Sequence, residues 1–178
     1  MAAVSRHLRG DTKEVECDVH GHTVIEKGDV VWTYKISTFS CKTSAPGGNA
    51  QTADWYTFPV SDLAGCTPVY FDAQFAGIAM KGSISGTTEK IPVATAGIFR
   101  YPLKAQTGVT IGQLVSGATS AAATMSDQIV VSKTYAELTD EYRNILGICV
   151  KTEAGATNVD FNLITRFSGV SYGYIQAF

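Results

Sequence analysis

The chain has 178 residues, 45% hydrophobic and only 17% charged, and its 14 Lys+Arg against 16 Asp+Glu leave a formal net charge of −2. That length suits one domain able to bury roughly two-thirds of its unfolded surface. The balance supplies no basic field to gather phosphates, which argues against nucleic acid as a partner. No stretch reaches the ~20 apolar residues of a membrane helix, so no membrane partner is expected either.

Residues 1–16 (MAAVSRHLRGDTKEVE) are polar, carry Arg6, His7 and Arg9, and follow no period. They read as an N-terminal arm, and they lack the apolar core of a signal peptide, so synthesis and folding in a cytoplasm are expected. A strand near 15–19 precedes the turn His20-Gly21-His22. Lys27-Gly28-Asp29 is a turn signal that opens a new strand. That strand, 30–36, is rich in β-branched and aromatic residues.

From 37 to 57 the composition shifts to Ser, Thr, Ala and Asn around Pro46-Gly47-Gly48-Asn49. A stretch of this length without a period reads as a functional or partner-contacting loop, or a mobile one, inserted in the domain, with Trp55 and Tyr56 returning it to the core. Strands are expected over 67–71 and 75–81, then a flexible turn over 82–86. A strand over 91–99 follows, with Pro92 near its start because proline cannot donate to a ladder.

Residues 109–115 read as the next strand, 116–126 as a small-residue loop, and 128–132 as a short strand. Thr134 and Glu137 have capping-box spacing, which places one short helix over 135–143. Strands over 145–151 and 159–166 close the domain, the second alternating Val159, Phe161 and Leu163 with Asp160 and Asn162. Residues 169–178 form a tail in which Tyr172, Tyr174 and Phe178 share a face if extended, either as a last strand that completes the barrel or packed on a neighbouring subunit.

Two phrases recur. EKGDVVW (26–32) returns as TIGQLV (110–115), and FAGIAMKG (75–82) returns as ILGICVKT (145–152). The unequal spacing and the presence of only two copies exclude a solenoid. With many short strands and at most one short helix, the expectation is an all-β fold, a compact barrel or sandwich built from two related halves joined through 91–99. The domain proper is placed at 17–168.

Chemistry-bearing patterns are scarce. Neither GxxxxGK[ST] nor GxGxxG occurs, and the turn at 82–86 puts Ile84 where a nucleophile elbow needs Ser. Cys17, Cys41, Cys66 and Cys149 form no CxxC and are expected as thiols rather than disulfides, Cys149 as a small core residue. Cys17-Asp18-Val19-His20-Gly21-His22 could offer metal ligands, but a zinc site draws on a second cluster that the sequence lacks. The expectation is therefore no catalytic set, no cofactor and no metal.

Taken in order, EKGDVVW, FAGIAMKG, IPVATAGIFRYP, VTIGQLV, ILGICVKT and NVDFNLITRF resemble the small head decoration (cement) proteins of tailed bacteriophages. The likeness spans about 23–167, excluding the 37–57 insertion. It implies a compact β-tulip fold and a non-enzymatic protein of the virion. Such a protein would bind the major capsid protein on the outer surface of an assembled head, stabilise it, and associate with itself as a homotrimer. Binding only the assembled shell stabilises it by mass action, without chemistry. The candidate contact residues are Arg6 and Arg9 in the arm, Trp55 and Tyr56 after the insertion, and Tyr172, Tyr174 and Phe178 in the tail, aromatics being favoured interface anchors. The other reading is a virion-surface adhesion module that binds host glycan through the 37–57 loop.

Overall fold

The computed structural model describes residues 6–9, 12–19, 23–35, 55–59, 75–84, 89–104, 109–119, 125–133, 145–151 and 157–165. Within them the chain is all-β, with no helix. The strands are β1 (Arg6–Arg9), β2 (Glu14–Val19), β3 (Val30–Lys35), β4 (Trp55–Pro59), β5 (Phe75–Ala79) and β6 (Glu89–Ala94). They continue as β7 (Ile98–Pro102), β8 (Leu114–Thr119), β9 (Met125–Lys133), β10 (Ile145–Lys151) and β11 (Asn158–Leu163).

These strands form two sheets. One is a closed barrel in the order β2-β4-β3-β5-β6, and the other has the order β1-β7-β11-β10-β8-β9. The second sheet curls, and a parallel bridge between Leu103 and Val130 brings the β9 edge back to the end of β7. The barrel closes with its own parallel pairing at the matching place, Val19 opposite Thr57 between β2 and β4. Leaving β1 aside, the two halves share one topology, with β2 to β6 answering β7 to β11 in turn.

The match holds to the residue. Glu14, Val15 and Glu16 lie opposite Ala94, Val93 and Pro92, just as Ile98, Phe99 and Arg100 lie opposite Asn162, Phe161 and Asp160. Val30 pairs with Ile78 and Val31 with Gly77, then the register slips so that Trp32 meets Phe75. Leu114 pairs with Ile148 and Val115 with Gly147, then it slips so that Ser116 meets Ile145. The expectation of two related halves is met.

The recurring phrases are the parts that set this geometry. Gly28 and Gly112 have φ of 96 and 90, a region that side chains avoid, so each tight turn needs glycine. Each turn is then bonded alike: the Gly28 N–H donates to the Ala79 carbonyl at 2.8 Å, the Gly112 N–H to the Cys149 carbonyl at 2.9 Å. Gly77 and Gly147 lie where the next strand passes too close for a Cβ, which would stand 2.0 Å from the Ala94 carbonyl oxygen and 2.1 Å from that of Asn162.

The interiors differ in bulk. The barrel is filled by Val19, Ile25, Val31, Ala76, Ala79, Ile91 and Val93, with Val15 and Cys17 against them. The second half places Phe99, Tyr101, Phe161 and Leu146 in its core at positions equivalent to Val15, Cys17, Val93 and Ala76. Larger side chains widen the second core, and it joins the outward face of β3 and β5 (Val30, Trp32, Phe75, Ile78) in one buried cluster.

Several expected elements shift. The strand expected over 91–99 is two strands, broken by a bend at Thr95-Ala96-Gly97 where Gly97 has φ of 133 and its carbonyl accepts the Leu163 N–H. Residues 109–113 are turn, and the strand begins at Leu114. Ser116–Thr119 belongs to β8 rather than to a loop, because small residues fit between the flanking β9 and β10. The arm expected over 1–16 contains β1, paired with β7, and the start of β2. The helix expected over 135–143, the strand over 67–71, most of the 37–57 insertion and the 169–178 tail lie outside the described residues. Among the described residues, no helix is long and apolar enough to cross a membrane.

Candidate interaction surface

Two exposed apolar groups stand out. The first is made where the strand leaving β5 passes the segment before β3. The Ser83 N–H donates to the Ile25 carbonyl at 2.8 Å, the Ile25 N–H donates to Ser83 Oγ at 2.8 Å, and Ser83 Oγ donates to the Thr23 carbonyl at 3.2 Å. Thr23 and Ile25 point inward and are buried, so alternation turns Val24 outward, 55% exposed. Ile84, next to Ser83, is 71% exposed. Beside them Lys81 pairs with Glu89 at 3.4 Å, and Glu89 Oε1 accepts the Ile84 N–H at 2.5 Å. That hydrogen bond, with the nearby lysine, holds the Glu89 carboxyl below its ordinary range.

The second group lies at the matching turn of the other half. The Thr110 N–H donates to Gln113 Oε1 at 2.7 Å and the Gln113 N–H donates to the Thr110 carbonyl at 3.0 Å, which closes the turn and leaves Ile111 at its tip, 66% exposed. Val150, 37% exposed, and half-buried Ile148 lie on the neighbouring β10. Single exposed apolar residues are ordinary. Ile84 and Ile111, each about two-thirds exposed or more and flanked by polar groups, are the strongest of them as partner contacts.

The polar groups support the frame. Arg100 grips Asp160 with two parallel bonds, Nε to Oδ1 at 2.6 Å and Nη2 to Oδ2 at 2.9 Å, directly across the β7–β11 ladder. Asp29 accepts the Glu26 N–H at 2.7 Å and Gln128 Nε2 at 2.8 Å. Burial pushes the Asp29 carboxyl up, against the pull of those two bonds. Cys149 is buried, its thiol donates to the Lys151 carbonyl at 3.4 Å, and burial raises its pKa, so it is a core group and not a nucleophile.

The contact residues read from sequence are scattered. Arg6 and Arg9 lie in β1, in register with Arg100 and Ile98. Trp55 and Tyr56 lie in β4 of the barrel, in register with Lys35 and Tyr34, so they are ladder residues rather than the end of a loop. The structure does not bring these two pairs onto one sheet. Tyr172, Tyr174 and Phe178 lie outside the described residues, as do His20, His22, Cys41 and Cys66. Cys17 and Cys149 are not in disulfides. Among the described residues no three His, Cys, Asp or Glu side chains gather as metal ligands.

Val24, Ile84, Ile111 and Val150 were missed by sequence reasoning. Ile111 carried a signal: it stands in the second turn where the first has Lys27, an apolar residue where a turn normally keeps a polar one. Compared with known proteins, the chain matches no family model, no curated protein and no solved structure.

Proposed function

We propose that this chain is a capsid decoration protein that binds the outer surface of an assembled phage head and stabilises it as a homotrimer. The observation that carries the reading is the duplicated fold itself. The phrases on which the resemblance rests include the turn glycines and the close-approach glycines of both halves, the residues that fix the architecture. Such a body is sparsely charged and carries exposed Val24, Ile84, Ile111 and Val150. Covering what remains exposed of each side chain contributes a fraction of the roughly 1.5–3 kcal/mol of full burial, most at Ile84 and Ile111, 71% and 66% exposed, while exposed ion pairs from Arg6 or Arg9 would add about 0–1 kcal/mol each. Apolar cover therefore dominates attachment, with the major capsid protein and neighbouring copies as partners and no catalytic step.

The test is binding to undecorated heads. Purified protein is added to shells lacking it, and occupancy and the temperature of shell disruption are measured at low and high salt. Saturable occupancy that survives high salt and raises the disruption temperature is expected, because screening spares apolar contacts. Absence of saturable binding rejects the proposal.

A further inference from the structure

The duplication leaves one strand over. Among the described strands β2 to β6 answer β7 to β11, and β1 has no counterpart. It lies along the edge of β7, with Arg6 opposite Arg100 and Arg9 opposite Ile98. That edge is available to it because the Leu163 N–H donates to the Gly97 carbonyl at 2.8 Å. Gly97, Phe99 and Tyr101 therefore turn their backbone groups to β11, and Ile98 and Arg100 turn theirs away from it.

β2 has the same edge. The Thr95 N–H donates to the Lys13 carbonyl at 2.7 Å, so Lys13, Val15 and Cys17 turn their backbone groups to β6, and Glu14 and Glu16 turn theirs away. Glu14 and Glu16 hold the register positions of Ile98 and Arg100. Among the described residues no strand pairs with them on that side; β4 meets β2 only farther along, at Val19 opposite Thr57. The neighbouring side chains agree with an unfilled edge. Val15 and Cys17 stay half-buried, whereas Phe99 and Tyr101, in the same positions of β7, are 1% and 0% exposed.

The unfilled edge is acidic. Glu14 and Glu16 are exposed, and across the β6 ladder they face Ala94 and Pro92, which bring no cation, while Asp18 faces Lys90. A strand placed on β2 as β1 is placed on β7 would set the position of Arg6 opposite Glu16 and that of Arg9 opposite Glu14. On β7, by contrast, Arg6 stands opposite Arg100, which is already paired with Asp160. Opposite charges directly across a ladder favour pairing, and like charges oppose it.

We propose that the β2 edge at Glu14 and Glu16 is a docking site for an extended, basic segment of a partner protein, which adds to the barrel as β1 adds to β7. Backbone bonds to Glu14 and Glu16 supply the affinity and the two carboxylates select cations, the pattern of strand addition at an exposed edge. Exchange of β1 between copies would empty one edge for each it filled, so the occupant is a segment of another protein. The inference rests on the internal repeat, and it holds whether or not that protein forms a shell.

A peptide with the sequence of residues 4–10 (VSRHLRG) is the probe, and VSEHLEG is its charge-reversed counterpart; each is titrated into the full chain without shells. The wild type should bind VSRHLRG saturably, with a Kd near or below about 1 mM, and the bound peptide should slow hydrogen exchange at the Glu14 and Glu16 amides. The double variant Glu14→Lys, Glu16→Lys, changed only at exposed positions, should bind VSRHLRG at least about tenfold more weakly and take VSEHLEG in its place. That exchange of preference also shows that the variant is folded. A wild type that binds neither peptide has an edge that only repels strands, and it overturns the inference. Binding that leaves the Glu14 and Glu16 amides exchanging as before is surface charge alone, and it overturns the inference too.

Discussion

Replacing Gly147 by alanine adds one methyl group where β11 crosses β10. The new Cβ would stand 2.1 Å from the Asn162 carbonyl oxygen, 2.8 Å from Phe161 Cδ2 and 2.9 Å from the Asn162 carbonyl carbon. Two of these three atoms are backbone, in a strand fixed by β7 on its other side. The nearest contact is backbone, which no side-chain rotation relieves, so the ladder must open. Overpacking of a core costs about 1–3 kcal/mol, and a rigid neighbour puts Gly147→Ala near the top, about 3 kcal/mol. For a domain of this size that lowers Tm by roughly 6–12 °C. Gly77→Ala meets the Ala94 carbonyl oxygen at 2.0 Å with φ of +147, so it should cost at least as much. Gly112→Ala meets nothing within 4 Å but holds φ of +90, and conformational strain alone costs about 1–2 kcal/mol. Urea unfolding followed by circular dichroism, with thermal melts alongside, gives the order. Gly147→Ala within about 0.5 kcal/mol of wild type, or Gly112→Ala as the worst of the three, refutes the close-approach argument.

Other outcomes follow from the same structure. Tyr101→Phe leaves the Gly28 carbonyl without the buried hydroxyl that donates to it, and urea unfolding should show a loss of about 1–3 kcal/mol. Burial raises the Asp29 carboxyl pKa above its unfolded value. Its contribution to stability is therefore full at low pH and lost as pH rises through the raised value. Chemical denaturation across pH should show Asp29→Asn gaining on wild type as pH rises; a variant that gains as pH falls contradicts the burial argument. Cys149 should resist thiol reagents in the folded protein and react only on unfolding, because it is 1% exposed and its thiol is held protonated. Peptide mapping that finds it modified as readily as half-buried Cys17 would count against that.

Much of the fold was legible because glycine declares local geometry. Gly28 and Gly112 mark turns that demand positive φ, and the paired Gly77 and Gly147 mark a crossing, so the repeat could be read before any pairing was known. The pairing itself could not. β2 lies beside β4 in parallel and β6 in antiparallel, and such closure depends on contacts between distant segments that leave no local period. Ser116, Gly117 and Ala118 have weak strand propensity, yet they lie in a buried ladder where cross-strand fit outweighs propensity. Arg6–Arg9 has no alternating apolar face, so β1 was invisible until β7 offered an edge. The candidate surface was harder still. Whether an isoleucine in a turn or an aromatic after a loop is exposed depends on which half covers it, and composition does not record that.

A reconstruction of the native particle at a resolution that separates strands tests the central claim most directly. Density for the two related β halves is expected on the outside of the shell, in groups of three touching copies. A particle carrying this protein only inside the shell, or as isolated monomers that never touch, contradicts it.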